Sequence, residues 1–206
     1  LEDSMIKSEG LIRPSFFMLI WKENKIIPKF LKSTILERIE ENHIDKKKFY
    51  TSFTTDEGEK YSDLLVPYYE SLIDQIMKDL GMFKRSRYYY NIWVQMYNSE
   101  TDTHGPHSHF GGNEIISFTH IVQSSEQKCF YFLDNDDKKI YPDQKSGDIL
   151  AWPSWLMHGV DMVKEDNINR LVVSGNIALT SYHGGDRDTS VDCIKTDTGQ
   201  IIWSMV

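Results

Sequence analysis

The first half of the chain carries apolar residues at helical spacing. Leu31, Ile35 and Ile39 recur every four residues after Pro28, which suits the first turn of a helix because it lacks a backbone N–H. This pattern predicts a helix over residues 28–41 with one buried face. A short apolar stretch before it, residues 15–21, predicts a strand.

A second and longer apolar stripe follows at the three/four spacing of a helix. Its members are Tyr61, Leu64, Leu65, Tyr68, Tyr69, Leu72, Ile73, Ile76, Met77 and Leu80. Gly81 stands where a C-terminal cap belongs, and Pro67 is expected to start, kink or break the helix near its beginning. The tyrosines of this stripe are interpreted as core packing rather than as a binding site.

The second half of the chain changes to short β-branched and aromatic runs separated by Gly, Pro, Asn and Asp. These runs predict strands over residues 88–97, 106–110, 114–123, 128–133, 148–152, 169–179 and 200–205. Helices followed by many antiparallel strands are typical of an α+β fold in which helices cover one side of a sandwich or barrel. We expect one domain, with a strand and supporting helices over 5–87, the strand-rich core over 88–180 and a C-terminal extension over 181–206.

Composition narrows the classes of function. The chain has 206 residues, a formal charge of −8 and two cysteines, Cys129 and Cys193. The acidic balance disfavours a duplex nucleic-acid binder, and no apolar run reaches the roughly 18 residues of a membrane span. Two cysteines suit a reducing cytosol better than a disulfide framework. We expect a cytoplasmic protein without a secretory signal, in which residues 1–4 before Met5 are left over from expression.

The histidines are the first candidate chemistry, because five of the seven lie between His104 and His158. Residues two apart on a strand share a face, so His107 and His109 can point to one place, as two metal ligands do. His158 is the natural third ligand, because it follows a predicted strand and a turn at Pro153. His104 is expected to be a loop or outer residue, because Gly-Pro bends the chain between it and His107.

The predicted strands 169–179 and 88–97 each have two different faces. Leu171, Val173 and Ile177 would pack against the helices, and the opposite face carries a guanidinium, a hydroxyl and an amide from Arg170, Ser174 and Asn176. These groups suit a small carboxylate. The other strand places four aromatic and amide side chains on one face, where they could hold a ligand: Asn91, Trp93, Gln95 and Tyr97.

These motifs together resemble the 2-oxoglutarate/Fe(II)-dependent oxygenases, in particular the small oxygenases encoded by marine phages. The likeness spans about residues 90–179 and rests on His107-Ser-His109, then residues 153–158, then Arg170-Leu-Val-Val-Ser174-Gly-Asn176. It implies a double-stranded β-helix core, of the jelly-roll or cupin-like kind, with the N-terminal helices packed on one face.

The resemblance implies roles for individual residues and for two cofactors, Fe(II) and 2-oxoglutarate. His107 and His158 would bind the iron, and Arg170 with Ser174 would bind the distal carboxylate of 2-oxoglutarate. Further cosubstrate contacts are expected from Tyr97, Gln95 and Asn176. The substrate pocket is expected to include Trp93, Asn91 and Trp152. Family chemistry implies that O₂ and 2-oxoglutarate give succinate and CO₂ while a substrate C–H bond is hydroxylated.

One position departs from the family pattern. The usual iron triad has a carboxylate two residues after the first histidine, and this chain has His109 there. Either the site has three histidine ligands or a carboxylate comes from Glu114 or, as second choice, Asp102. The spacing His107-x-His109-x4-Glu114 also resembles the first metal motif of the cupins, which bind iron, manganese, nickel or zinc.

Three hypotheses for the function follow. The first is a 2-oxoglutarate-dependent dioxygenase acting on a peptide side chain or small metabolite, with nucleic acid disfavoured as substrate. The second is a cupin-type dioxygenase or isomerase without 2-oxoglutarate, in which Arg170 holds the acid group of the substrate. The third is a non-catalytic metal-binding barrel. Residues 98–105 and the acidic residues 134–139 are candidate lids, and an acidic lid would favour cationic or neutral substrates.

Overall fold

The computed structural model describes residues 21–45, 47–53, 55–80, 89–101, 103–109, 114–165, 169–178 and 194–195. Two helices lie in this part of the chain, α1 (Lys29–Asn42) and α2 (Thr55–Asp79). The strands are β1 (Trp21–Asn24), β2 (Tyr50–Thr51), β3 (Tyr89–Tyr97), β4 (His104–His107), β5 (Glu114–Gln123), β6 (Phe130–Leu133), β7 (Lys139–Ile140), β8 (Asp148–Pro153), β9 (His158–Val160), β10 (Arg170–Ala178) and β11 (Ile194–Lys195). Neither helix is long and apolar enough to cross a membrane.

The helices follow the apolar pattern closely, with one correction at the start of α2. Pro28 is the N-cap of α1, and its carbonyl accepts a hydrogen bond from the N–H of Lys32 at 3.1 Å. Helix α2 begins at Thr55 rather than at residue 61, so Pro67 lies well inside it rather than at its beginning. The residues before Tyr61 are mostly polar, so the apolar stripe starts later than the helix does. Gly81 lies outside the described residues.

The strands form two antiparallel sheets that face each other. The major sheet has the order β1-β8-β5-β10-β3-β11, with β2 also paired to β3, and the minor sheet has the order β4-β9-β6-β7. Most neighbours in each sheet, such as β8 and β5 or β4 and β9, are not consecutive along the chain, as in a double-stranded β-helix. The predicted fold class is therefore confirmed.

Most predicted strands are present, with shifted ends. Residues 114–123 match β5 as predicted, and β3, β6, β8 and β10 differ from their predictions by one or two residues at an end. The prediction of a strand over residues 106–110 is wrong, because β4 covers His104–His107. Four short strands were not predicted: β2, β7, β9 and β11. The predictions over residues 200–205 and most of 15–21 lie outside the described residues.

Two apolar clusters show where the site lies. The larger one joins both helices to the outer face of the major sheet and contains Leu171, Val173 and Ile177, as the alternation in β10 predicts. The smaller, aromatic cluster lies between the two sheets and includes Trp152 and Val172. Because β10 is a central strand and all nine of its residues are buried, its polar face points into the protein rather than into solvent.

Candidate metal and anion site

Three histidines converge between the sheets. Strands β4 and β9 are paired so that His107 lies directly opposite His158. Nitrogen atoms of these two rings and of His109 all lie within 4.8 Å of one another. Strand β4 ends before His109, whose backbone N–H donates to the carbonyl of Ser154 at 2.9 Å. The chain past β4 is thus held against the turn after β8, and this contact brings His109 to the other two imidazoles.

Hydrogen bonds orient two of these rings for metal binding. Nδ1 of His107 donates to the carbonyl of Gly105 at 3.0 Å, and Nδ1 of His158 donates to the carbonyl of Leu156 at 2.8 Å. A carbonyl can only accept, so Nδ1 carries the proton and Nε2 has a free lone pair. This is how metal-binding histidines are commonly held.

Burial keeps the imidazoles neutral. Desolvation, together with a smaller contribution from neighbouring histidines, lowers the pKa of His104 and of His109 to about 4. Desolvation also lowers the pKa of His107 and brings that of His158 well below its usual value. Neutral imidazole is the form that binds metal ions, so the cluster is ready for a cation at neutral pH.

His104 is closer to the site than the sequence predicts. Its ring stacks on His107 at a centroid distance of 4.2 Å and on Phe49 at 4.6 Å. Its Nδ1 forms a hydrogen bond with the hydroxyl of Tyr97 at 3.2 Å. His104 therefore connects the histidine cluster to strand β3.

Arg170 is a buried charge without a partner. Its side chain is 2% exposed, and neither Nη1 nor Nη2 has a hydrogen-bond partner among the described residues. The guanidinium lies 5.5 Å from the centre of the Tyr97 ring, and burial lowers its pKa. Removing a guanidinium from water costs several kcal/mol unless an anion compensates it. The site therefore fits a ligand with an anionic group.

The rest of the polar face on the major sheet is hydrogen-bonded in two layers. In one layer the hydroxyl of Ser174 donates to Oε1 of Gln95 at 3.2 Å and bonds Thr119 at 3.1 Å. In the other, the N–H of Asn176 donates to Oδ1 of Asn91 at 3.0 Å, and the hydroxyl of Ser117 donates to Oδ1 of Asn176 at 2.8 Å. These bonds hold the amides and hydroxyls in fixed positions.

All these groups border one cavity with about 430 Å³ of space not filled by atoms. Ten of the predicted site residues line it: His107, His109, His158, Arg170, Ser174, Tyr97, Gln95, Asn176, Trp93 and Trp152. Asn91 is absent from the described lining of the cavity, and its Oδ1 accepts the backbone N–H of Asn176 at 3.0 Å.

Neither suggested carboxylate lies in the described part of the histidine cluster. Glu114 is on β5, opposite Ala178, and is absent from the groups that converge and from the described lining of the cavity. The start of β5 lies beside the turn after β8, because the backbone N–H of Ser154 donates to the carbonyl of Ile115 at 3.1 Å, but the carboxylate of Glu114 is not among the groups that converge with the histidines. Asp102 lies outside the described residues.

The structure also adds lining residues that the sequence reasoning missed. Ser117 and Thr119 alternate on β5 and face the cavity, while Phe130 and Val160 come from the minor sheet. The alternation rule was enough to find Ser117 and Thr119, because polar residues two apart on an interior strand mark a polar inner face. No local signal marked Phe130 or Val160. Residues 134–139 are absent from the described lining.

Comparison with known proteins gives structural rather than sequence matches. No family model and no curated protein matches the sequence. The fold is similar to that of SnoK, a non-heme, alpha-ketoglutarate-dependent carbocyclase of nogalamycin biosynthesis, with a TM-score of 0.60 and 10% identity over 81% of this chain and 83% of that one.

Two prolyl hydroxylases have similar folds. The prolyl-4-hydroxylase of Pseudomonas putida has a TM-score of 0.52 and 11% identity, over 77% of this chain and 91% of that one. The viral collagen prolyl hydroxylase of Paramecium Bursaria Chlorella virus-1 has a TM-score of 0.52 and 13% identity, over 86% of this chain and 99% of that one. The chain therefore has the fold of the 2-oxoglutarate/Fe(II)-dependent oxygenases, as the resemblance in its sequence implies.

Proposed function

We propose that this chain is a 2-oxoglutarate- and Fe(II)-dependent dioxygenase that hydroxylates a C–H bond of a peptide side chain or small metabolite. The observation that carries the proposal is the pairing of two sites in one cavity. Three neutral imidazoles suit a divalent metal ion, and the unpartnered guanidinium of Arg170 suits a carboxylate. A 2-oxo diacid is a ligand that needs both.

His107, His109 and His158 are the proposed metal ligands. Their donor atoms lie close together, and in His107 and His158 the Nδ1–H bonds to backbone carbonyls leave Nε2 free. When bound, Fe(II) supplies the redox chemistry by which O₂, 2-oxoglutarate and a substrate C–H give succinate, CO₂ and C–OH. The protein's own task is to hold these ligands and to orient what binds beside them.

Arg170 and Tyr97 are the proposed receptor for the distal carboxylate of 2-oxoglutarate. Two unpartnered nitrogens of a guanidinium match the two oxygens of a carboxylate, and such a bidentate pair is among the stronger hydrogen bonds in proteins. The Tyr97 hydroxyl bonds His104, and the Tyr97 ring lies against the same guanidinium. Burial raises the pKa of Tyr97, so its hydroxyl stays protonated and can donate. Ser174 and Gln95 complete the proposed cosubstrate pocket as one hydrogen-bonded pair.

Aromatic side chains keep water away from the histidines. Trp152 packs edge-on against His158 at a centroid distance of 5.0 Å, and Phe130 lies at 6.0 Å from the same ring. Trp93 stacks on His109 at 6.3 Å. A dry site strengthens the electrostatic contacts within it and limits side reactions of a reactive centre with solvent.

The ligand set favours one other candidate function. Three histidines without a carboxylate among the described residues are also a possible centre for a cupin-type dioxygenase or isomerase. In that enzyme Arg170 binds the acid group of the substrate itself, and 2-oxoglutarate is not consumed.

The experiment is turnover of 2-oxoglutarate by the Fe(II) protein in air, followed as succinate released. We expect the wild type to form succinate slowly even without a substrate, and Arg170→Ala to lose that activity while retaining its metal. Arg38→Ala is the matched control, because Arg38 pairs with Asp63 on the helices and is absent from the lining of the cavity. Consumption of O₂ without succinate would favour the cupin-type function, and full turnover in Arg170→Ala would refute the carboxylate receptor.

A further inference from the structure

We infer that the end of the cavity around Asn176 binds the substrate, and that the group entering there is uncharged and presents a carbonyl oxygen. This inference rests on the proposed function, because it takes the other end of the cavity as the place of 2-oxoglutarate. It also moves Asn176 from the cosubstrate contacts to the substrate contacts.

The two ends of the cavity are far apart along β10. Arg170 lies opposite Tyr97 on β3, and Asn176 lies opposite Asn91 six residues further along the strand. At about 3.3 Å per residue the separation of these two positions is roughly 20 Å. A five-carbon diacid held by Arg170 cannot span that distance, so Asn176 faces space that the cosubstrate leaves open.

The histidine cluster lies between these two ends. On the Arg170 side, His104 bonds the hydroxyl of Tyr97 and stacks on His107. On the Asn176 side, His109 stacks on Trp93, two residues along β3 from Asn91. A metal ion held by the cluster is therefore between the proposed cosubstrate and the Asn176 end.

A chain of hydrogen bonds ties the Asn176 end to the same cluster. The carbonyl of Ser154 accepts the backbone N–H of His109, and the Ser154 hydroxyl bonds that of Ser117 at 3.1 Å. Ser117 in turn donates to Oδ1 of Asn176. The position of the Asn176 amide is thus fixed relative to the proposed metal ligands.

The free part of the Asn176 amide is a donor. Its Oδ1 accepts from Ser117 and its backbone N–H donates to Asn91, whereas Nδ2 has no hydrogen-bond partner among the described residues. The side chain is 1% exposed and lines the cavity. The amide lines the cavity, and a carbonyl oxygen of a ligand there accepts from Nδ2 without adding charge.

Charge excludes the alternatives to a neutral ligand. Among the described lining residues Arg170 is the only charged side chain, and no carboxylate is present to balance a cation. An anionic group at the Asn176 end has no cationic side chain beside it among the described lining residues once Arg170 holds the cosubstrate. Burying an unpaired charge is costly, so the group that enters is uncharged.

The test uses blocked amino acids as probes, because they present carbonyl oxygens and differ in side-chain charge. N-acetyl-N-methylamides of alanine, proline, leucine, lysine and glutamate are titrated into the Fe(II) protein with 2-oxoglutarate under anaerobic conditions. Binding is read from tryptophan fluorescence, because Trp93 and Trp152 line the cavity. We expect at least one uncharged probe to bind roughly 10-fold or more tightly than the lysine and glutamate probes.

Two variants test the role of the amide. Asn176→Asp replaces the N–H donor by an anionic acceptor, and we expect the preference to change toward the lysine probe. Ser117→Ala removes the hydroxyl that holds Oδ1 of Asn176 and keeps the assay informative if Asn176→Asp does not fold. We expect it to weaken binding of the preferred probe by about 3- to 10-fold with little change in 2-oxoglutarate affinity. Ser125→Ala is the control, because the Ser125 hydroxyl is also buried but donates to the carbonyl of Gln127 and is absent from the described lining of the cavity.

The outcomes separate this inference from the proposed function. If 2-oxoglutarate binds but charged probes bind as well as uncharged ones, or none binds, the assignment of the Asn176 end is overturned and the proposed function stands. The same holds if Ser117→Ala behaves like Ser125→Ala. If 2-oxoglutarate itself does not bind to the Fe(II) protein, the proposed function is overturned and this inference with it.

Discussion

Histidines on the outer face of the major sheet and in the cavity between the two sheets are held in opposite ways. On the outer face, His120 uses both ring nitrogens: Nδ1 accepts from the hydroxyl of Tyr69 and Nε2 donates to the carbonyl of Lys25, each at 2.7 Å. In the cavity on the inner side, His107 and His158 use only Nδ1 in hydrogen bonds. A fully bonded histidine joins α2, β5 and the chain before α1, whereas a half-bonded one keeps a nitrogen for a ligand.

Two buried charged residues, Asp148 and Arg170, also differ in whether their polar atoms have hydrogen-bond partners. Asp148, which is 1% exposed, accepts from Nδ2 of Asn24 at 2.8 Å and from the backbone N–H of Lys145 at 3.1 Å, and pairs with Lys22 at 3.4 Å. Arg170 is 2% exposed, and its two terminal nitrogens have no hydrogen-bond partner in the described part of the chain. Burial alone therefore does not mark the site; Arg170 combines burial with two nitrogens that have no described partner and with a place in the lining of the cavity.

The largest expected effect is on metal binding. His107→Ala or His158→Ala should weaken the binding of Co(II) by roughly 100-fold or more, because each removes a proposed ligand, a larger loss than that of an outer-shell partner. His120→Ala should leave Co(II) affinity unchanged and reduce stability instead. Isothermal titration with Co(II) checks this, and equal losses in all three variants would mean that the faces do not differ.

The two buried charges should respond to apolar replacement with opposite signs. Without 2-oxoglutarate, Arg170→Leu should raise the free energy of unfolding by about 1–4 kcal/mol, because it removes an uncompensated charge. Asp148→Leu should lower it by a similar amount, because it leaves the partners of Asp148 unbonded. Denaturant titration of the three proteins measures both changes. Destabilisation by both substitutions would show that Arg170 is compensated in the free protein.

The free energy of unfolding should fall at acidic pH in part because His120, on the outer face of the major sheet, is buried in its neutral form. Desolvation lowers the pKa of His120 to about 4, below its usual 6.5, so the unfolded chain takes up a proton first as the pH falls. His120 therefore contributes its full share to the free energy of unfolding above pH 6.5. This contribution, up to about 3 kcal/mol, is lost as the pH falls from 6.5 to 4. Unfolding of wild type and His120→Gln at pH 7.5 and 4.5 tests this. The variant should lose less stability on acidification, and an identical loss would exclude His120 as the cause.

A smaller effect should come from moving a ligand without removing it. A Cβ on Gly159 lies 2.6 Å from the hydroxyl of Tyr131 and 2.9 Å from the carbonyl of His104, so Gly159→Ala must shift β9 against β4. We expect Co(II) affinity to fall by about 3- to 10-fold as His158 moves relative to His107. Gly105→Ala is the matched control, because a Cβ there meets nothing within 4 Å. The same affinity in both variants would mean that the site tolerates this shift.

Sequence periodicity predicted the sheets well because it reports which face of an element is buried. Alternation in β10 separated Leu171, Val173 and Ile177 from the cavity-facing residues, and the three/four spacing located α2. Apolar periodicity does not locate the end of a helix where polar residues extend it. The sequence pattern therefore missed the first residues of α2, which precede its apolar stripe. Short strands such as β9 have too few residues to show a period.

The site was predicted by residue type and only partly by geometry. His107, His109 and His158 do converge, but His109 is brought there by a hydrogen bond to Ser154 rather than by the strand period. Contacts between residues distant in sequence carry no local signal. The stacking of His104 on Phe49 and the hydrogen bond from the N–H of Asn176 to Asn91 are of that kind. Residue types alone indicated a metal site and a carboxylate site, whereas 2-oxoglutarate as the carboxylate was implied only by the resemblance.

The most direct measurement of the central claim is the visible absorption of the Fe(II) protein when 2-oxoglutarate is added without oxygen. A 2-oxo acid bound to Fe(II) through its keto and carboxylate oxygens gives a charge-transfer band. We predict that the band appears in the wild type, is lost in His158→Ala, and needs far more 2-oxoglutarate in Arg170→Ala than in Arg38→Ala. A wild-type protein that holds Fe(II) but shows no band at saturating 2-oxoglutarate would contradict the account.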